Sequence, residues 1–144
     1  MPRAYAVLLS LLAALFFLRV VGQVLVAFLD VRFLPPMPEW YSGLLPYPIL
    51  LPTQLAILAV QAKISVEFWR GDGLFVTPRP RGGRVLRWVS VVYFLAMVVR
   101  FGLTMAWRPE RRWLGTGTIP IVFHWVLAAY LFTLSHHHLR RAPR

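Results

Sequence analysis

Arg19, Gln23, Gln54, Arg100 and His124 invite chemistry, because each interrupts a long apolar run. An arginine at the centre of such a run costs about 2.5–3.5 kcal/mol to place in lipid, so it is kept where it faces protein, water or a partner. Its planar fork can hold a carboxylate or phosphate through two parallel hydrogen bonds. Two arginines backed by glutamine amides therefore describe a cationic pocket for an anionic or strongly polar group. A lipid headgroup, a fatty carboxylate or a quinone carbonyl would all satisfy it. Two other readings use the same residues. In one, the arginines bond inward to Gln23, Gln54, backbone carbonyls and Asp30, and only fix helix register. In the other, they face acidic residues of a partner subunit.

His124 is the one histidine inside an apolar run. Its intrinsic pKa suits a proton shuttle. With Arg19 and Arg100 as anion clamps, it would make a small membrane enzyme acting on a lipid-like substrate. A haem held by two histidines needs a second one at matched depth, and the chain has none, so no cofactor is expected. The run His136-His137-His138 can bind metal weakly. It reads better as an interfacial cap beside Arg140 and Arg141, and no metal site is assigned. The chain has no cysteine, which excludes disulfides, thiolate metal sites and thiol catalysis. No carboxylate pair, P-loop or nucleotide-binding glycine motif is present. Gly82-Gly83 reads as a turn, and the triplet Arg70-Gly71-Asp72 as chance.

The elements that position these residues are legible from hydropathy. The 144 residues are 58% hydrophobic and 15% charged, with mean hydropathy +0.62. Soluble domains are about half apolar and about a quarter charged, so both figures lean toward lipid. Crossing about 30 Å of hydrocarbon takes roughly 20 apolar residues. Four segments qualify: about 5–29, 48–64, 85–106 and 118–134. Trp88 and Trp107 bracket the third, as amphipathic rings do at headgroup level. The first begins like a signal peptide, with Arg3 before an apolar run. That run is too long and lacks a small-residue cleavage site, so it reads as an uncleaved anchor.

Basic residues outnumber acidic ones by 16 to 5, and fifteen of the sixteen are arginine. Nucleic acid is rejected as the partner, because the arginines fall between apolar runs. Ten basic residues lie at the N-terminus, in and around the loop 65–84 and in the tail, against four in the opposite loops. This asymmetry places both termini in the cytoplasm. The arginines of the loop 65–84 would contact anionic lipid. Arginine, alanine, glycine and proline are all frequent, which fits a bacterial inner membrane.

Helix rise then sets depth. Arg19 lies about 21 Å and Arg100 about 20 Å from the inner edge of their spans. His124 and Gln54 lie about 9 Å below the outer edge of theirs. All four spans thus carry a polar side chain at one level, in the outer half of the membrane. Gln23 and Thr104 sit one turn beyond Arg19 and Arg100 on the same faces. Asp30 is the nearest acid to Arg19, three turns up. Residues 31–48 hold five prolines and read as a stiff loop in the outer interface. Trp40, Tyr41 and Tyr47 within it would form an aromatic lid over the polar layer.

The stretch "FLDVRFLPP" (28–36), in the context of residues 12–36, is similar to the emopamil-binding and sigma-2 receptor group of small helical membrane proteins. That resemblance implies four or five membrane helices and a sterol-related ligand. The intramembrane acids that such proteins use to hold a cationic amine are missing here. Arg19 and Arg100 would reverse the charge preference, so no site is carried over.

The sequence therefore predicts an all-α, polytopic membrane protein over residues 1–144, a four-helix bundle without a separate soluble domain. Its expected role is that of an accessory or ligand-binding membrane subunit. Membrane lipids are its expected contacts, with partner subunits as a further expectation.

Overall fold

The computed structural model describes residues 2–34, 46–107 and 118–140. Four α-helices account for nearly all of them: α1 (Pro2–Leu29), α2 (Tyr47–Arg70), α3 (Pro80–Trp107) and α4 (Thr118–Arg140). No strand occurs among the described residues. The first three helices are long and apolar enough to cross a membrane. They carry exposed large apolar side chains such as Leu18, Phe28, Val85, Trp88 and Val99. Such surfaces are unfavourable in water and ordinary in lipid. α4 carries an apolar run as far as Leu134 and ends in Ser135, three histidines and Arg140.

Packing alternates in direction. Trp69 Nε1 donates to Ser10 Oγ at 3.0 Å, while the rings of Phe28 and Tyr47 meet at 6.2 Å, so α1 and α2 run antiparallel. The Tyr5 hydroxyl lies 2.8 Å from His136 Nδ1, which sets α4 antiparallel to α1. Arg87 Nε donates to Ser135 Oγ at 3.3 Å, and its guanidinium lies over the Phe132 ring at 4.5 Å, setting α3 antiparallel to α4. Backbone proximity runs α2–α1–α4–α3; α2 makes no comparably close backbone contact with α3 or α4. The arc thus leaves a gap beside α2. A core of Ala6, Leu9, Ile64, Phe68, Tyr130 and Leu134 joins α1, α2 and α4. Ala6 and Leu9 are fully buried, so α1 packs as a bundle helix from its first turns.

The connection between α2 and α3 is shorter than the sequence predicts. Residues 65–70 continue α2 and 80–84 begin α3, leaving 71–79 as the loop. Gly71 stops α2 in the left-handed conformation, its N–H donating to Glu67 O at 2.8 Å. The Arg70-Gly71-Asp72 triplet is therefore a helix terminus. Glu67 Oε2 accepts the Phe75 N–H at 2.8 Å, and Glu67 lies 3.9 Å from Lys63 Nζ. Gly73, at φ +127°, leaves room for that carboxylate; a Cβ there would lie 2.5 Å from it. Pro80 occupies the first helical position of α3, where its missing N–H costs nothing. Gly82 and Gly83, read as a turn, lie in the first turns of α3, and Gly83 lets α3 close on α4.

The three histidines hold this loop. His137 is fully buried: its Nε2 bonds Val76 O at 2.7 Å, and its ring meets those of Phe68 and Tyr5 edge-on. His138 Nδ1 accepts the Arg79 N–H at 3.2 Å. Both rings are thus turned into the protein, at the end of α4. No metal-holding cluster occurs among the described residues.

His136 and His138 lie beyond the apolar part of α4, which ends at Leu134. Burial, first, holds both imidazoles below their usual pKa. Arg140 and Arg87 add to this at His136, and His137 and Arg79 at His138, where a hydrogen bond to the Thr77 backbone opposes it. The fold thus favours neutral rings, and the unfolded chain binds protons first as pH falls. Stability is fully present above about pH 6.5 and is lost progressively below it, toward the lowered folded values. Melting in detergent across this window tests the linkage. A double variant, His136→Gln with His138→Gln, is expected to flatten the acid limb.

Candidate functional site

Gln54 faces inward on α2 because two neighbours shape the start of that helix. Pro52 removes the backbone donor that would serve the Pro48 carbonyl. Thr53 Oγ1 donates to Ile49 O at 2.8 Å, a bond back to the preceding turn that competes with the backbone ladder. Gln54 is 3% exposed, and its Oε1 has no hydrogen-bond partner among the described residues. Arg19, from the middle of α1, is 7% exposed. Both line a chamber of about 180 Å³, together with Phe16, Tyr93, Phe123 and His124. All four helices contribute to its wall.

Tyr93 and His124 share a hydrogen bond between the phenol oxygen and Nδ1, with their rings edge to face at 5.5 Å. Arg19 and Arg100 both lie within electrostatic reach of this pair. Arg19 also acts on Tyr47, at the start of α2. Two guanidinium groups on different helices thus influence one histidine.

The residues expected at one level are sorted by this geometry. Arg19, Gln54 and His124 share the chamber wall. Arg100 is half-buried two turns past Tyr93, about 10 Å along α3, and does not line the chamber. Tyr93 occupies the α3 position that the sequence reading gave to Arg100. Its signal was its place seven residues before Arg100, on nearly the same helix face. Gln23 is fully buried one turn beyond Arg19; neither amide atom has a partner among the described residues, and it too lies outside the chamber lining.

Asp30 is exposed, in the left-handed conformation just past α1. It lies about 16 Å along the axis from Arg19 and terminates the helix. Tyr47 is half-buried at the first position of α2. Trp40, Tyr41 and the side chain of Thr104 lie outside the described residues.

A second cavity, of about 500 Å³, adjoins the chamber. The two share Thr53, Ile57, Tyr93 and Leu127. The larger one follows α2 from Thr53 to Ile64 and α4 from Leu127 to Leu134, along the gap where α2 stands away from α3 and α4. Its wall is mostly aliphatic, with Thr53, Gln61, Tyr93 and Tyr130 as polar members. Gln61 is 3% exposed, and its Oε1 has no partner among the described residues. Pockets of about 300–1,000 Å³ that are mainly apolar, with a few placed polar groups, are the usual form of small-molecule sites.

Chain and site together define a helical protein with three candidate membrane spans, a polar chamber inside the bundle and an apolar groove beside it. Comparison with protein families, with curated proteins and with solved structures gave no match.

Proposed function

We propose that the chain is a ligand-binding or accessory protein of a bacterial inner membrane that holds an amphiphile, its polar head in the chamber and its apolar part in the groove. In this reading α4 is the fourth span and both termini are cytoplasmic, in keeping with the ten basic residues at that end. The chamber then lies in the outer half of the membrane. The observation that carries the proposal is the adjacency itself: a chamber bearing Arg19, Gln54, Tyr93 and His124 lies against an aliphatic groove with which it shares Thr53, Ile57, Tyr93 and Leu127.

Purification in a mild detergent, followed by mass spectrometry of everything retained, tests it. A lipid or quinone bound in stoichiometric amount is the expected result. Delipidated chain that takes up no amphiphile on reconstitution would contradict it. Tyr93→Phe and His124→Ala are each expected to lower occupancy about three- to tenfold, the loss of one hydrogen bond of about 1 kcal/mol.

The Tyr93–His124 hydrogen bond supports one alternative, a small membrane enzyme with His124 as proton shuttle. Under that reading His124→Ala abolishes conversion of the bound lipid and leaves occupancy nearly intact. Under the lead reading the retained lipid is chemically unchanged in the parent chain.

A further inference from the structure

Resting on the amphiphile reading above, we infer that the occupant is a single-chain amphiphile with one compact anionic head, placed against Arg19 and Gln54 with its chain along α2 and α4. Three features of the geometry lead there.

The first is charge. Arg19 is nearly buried in the chamber wall, and Arg100 acts on the same Tyr93–His124 pair. A guanidinium offers five N–H donors in a planar fork, so a contact already made leaves further donors for an oxyanion. Glu67 is the one carboxylate within the four helices. It lies thirteen residues beyond Gln54, about 20 Å away along α2, and is engaged by the Phe75 N–H and Lys63. Among the described residues the chamber wall therefore carries positive charge and no carboxylate, and a low-dielectric surrounding strengthens its attraction for anions.

The second is the number of apolar channels. The chamber adjoins one groove on the α2 side, sharing Thr53, Ile57, Tyr93 and Leu127 with it. A third cavity among the described residues lies between α3 and α4, around Ser90, Phe94, Trp125 and Thr133, and shares no wall residue with the chamber. Of the groove and this third cavity, only the groove borders the chamber, so a single apolar chain is what these walls accommodate. The third is size. A chamber of about 180 Å³ fits a carboxylate or phosphate with a few waters, each occupying about 30 Å³ in the liquid.

The unpartnered carbonyl oxygens of Gln54 and Gln61 point to the same orientation. Gln54 faces the chamber and Gln61 the groove, two turns apart on one face of α2. Gln54 can accept a hydrogen bond from a protonated head or from a water bound to it. Gln61 marks where water or a polar group on the chain would be tolerated.

Photolabelling of the full chain in phosphatidylcholine nanodiscs tests the inference. Four diazirine probes are compared: palmitate, palmitoyl lysophosphatidate, cetyl alcohol and a two-chain phosphatidate with the same labelled chain. Palmitate, lysophosphatidate or both are expected to label residues 53–64 and 127–134 about tenfold or more above the alcohol. Which of the two labels tells a free fatty acid from a lipid headgroup as the source of the anion. The two-chain probe is expected to stay at the alcohol's level. Arg19→Gln is expected to bring the anionic probes down to that level, and Arg84→Gln, at an exposed position, to leave them unchanged. Val60→Trp fills the groove without touching the chamber, and is expected to block labelling even if Arg19→Gln fails to fold. Equal labelling by cetyl alcohol, or by the two-chain probe, would overturn the inference and leave a ligand site standing. Absence of saturable labelling by every probe would overturn the amphiphile reading as well.

Discussion

Replacing Arg19 with methionine is expected to weaken retention of an anionic amphiphile by about ten- to a hundredfold while the bundle stays folded. Hydrogen bonds to a charged group contribute about 1.5–3 kcal/mol, which sets that range. Methionine fills a similar length with a flexible apolar chain. Exchanging a buried ion for an apolar group of like volume is often neutral or stabilising, because the desolvation cost disappears. Arg19 is 7% exposed and shares its chamber with Phe16 and Leu50, so methionine finds apolar neighbours. Occupancy by native mass spectrometry and melting by circular dichroism separate the two effects. A variant that melts far below the parent would mean that Arg19 is a structural crosslink, and the internal-network reading would then gain. A variant that binds normally would remove the arginine from the site.

Two adjacent glycines are expected to respond with opposite signs. Both lie near the start of α3, where alanine is favoured over glycine by about 0.5–1 kcal/mol. At Gly82 an added Cβ meets only the Arg79 Cβ at 3.8 Å, an ordinary contact, so Gly82→Ala should stabilise by that amount. At Gly83 the same Cβ would lie 2.9 Å from the His138 Cβ and 3.1 Å from the Leu139 Cγ. A neighbouring Cβ is fixed to its helix, so α3 and α4 must part. Overpacking of this kind costs about 1–3 kcal/mol, enough to outweigh the propensity gain. It also strains the His138–Arg79 bond that holds the loop. Parallel melts of both variants check this; a Gly83→Ala variant more stable than the parent would show that α3 and α4 do not close there.

How much was legible in the sequence depended on the kind of signal. Apolar length exposed the helices, since a run that cannot satisfy its backbone any other way in lipid must be helical. The loop 65–84 was overestimated because Ser65–Arg70 and Pro80–Arg84 are polar or glycine-rich, although tertiary contacts carry them in helices. Phe68 in the core and Gly83 against His138 are examples. That Arg19, Gln54 and His124 line one chamber agrees with counting along each axis, because a rise of 1.5 Å per residue is nearly invariant. Rotation about each axis was not readable, because helices apolar on every face carry no stripe to orient them. That is why Tyr93 reached the chamber in place of Arg100. The loop contacts of the histidine run are hidden for a related reason. Nothing in "SHHHLR" shows that the loop backbone at Val76 and Arg79 folds back to bond it.

The central claim is that His124 on α4 shares one chamber with Arg19 on α1 and lies within electrostatic reach of Arg100 on α3, outside the chamber wall. Nitrogen NMR of ring-labelled histidines in nanodiscs measures this directly, with the His124 signals assigned by their loss in His124→Gln. Arg19→Met and Arg100→Met, made separately, are each predicted to move the His124 ring nitrogens and to leave those of His136, His137 and His138 in place. A His124 signal indifferent to either substitution would contradict that arrangement and the ligand site built on it.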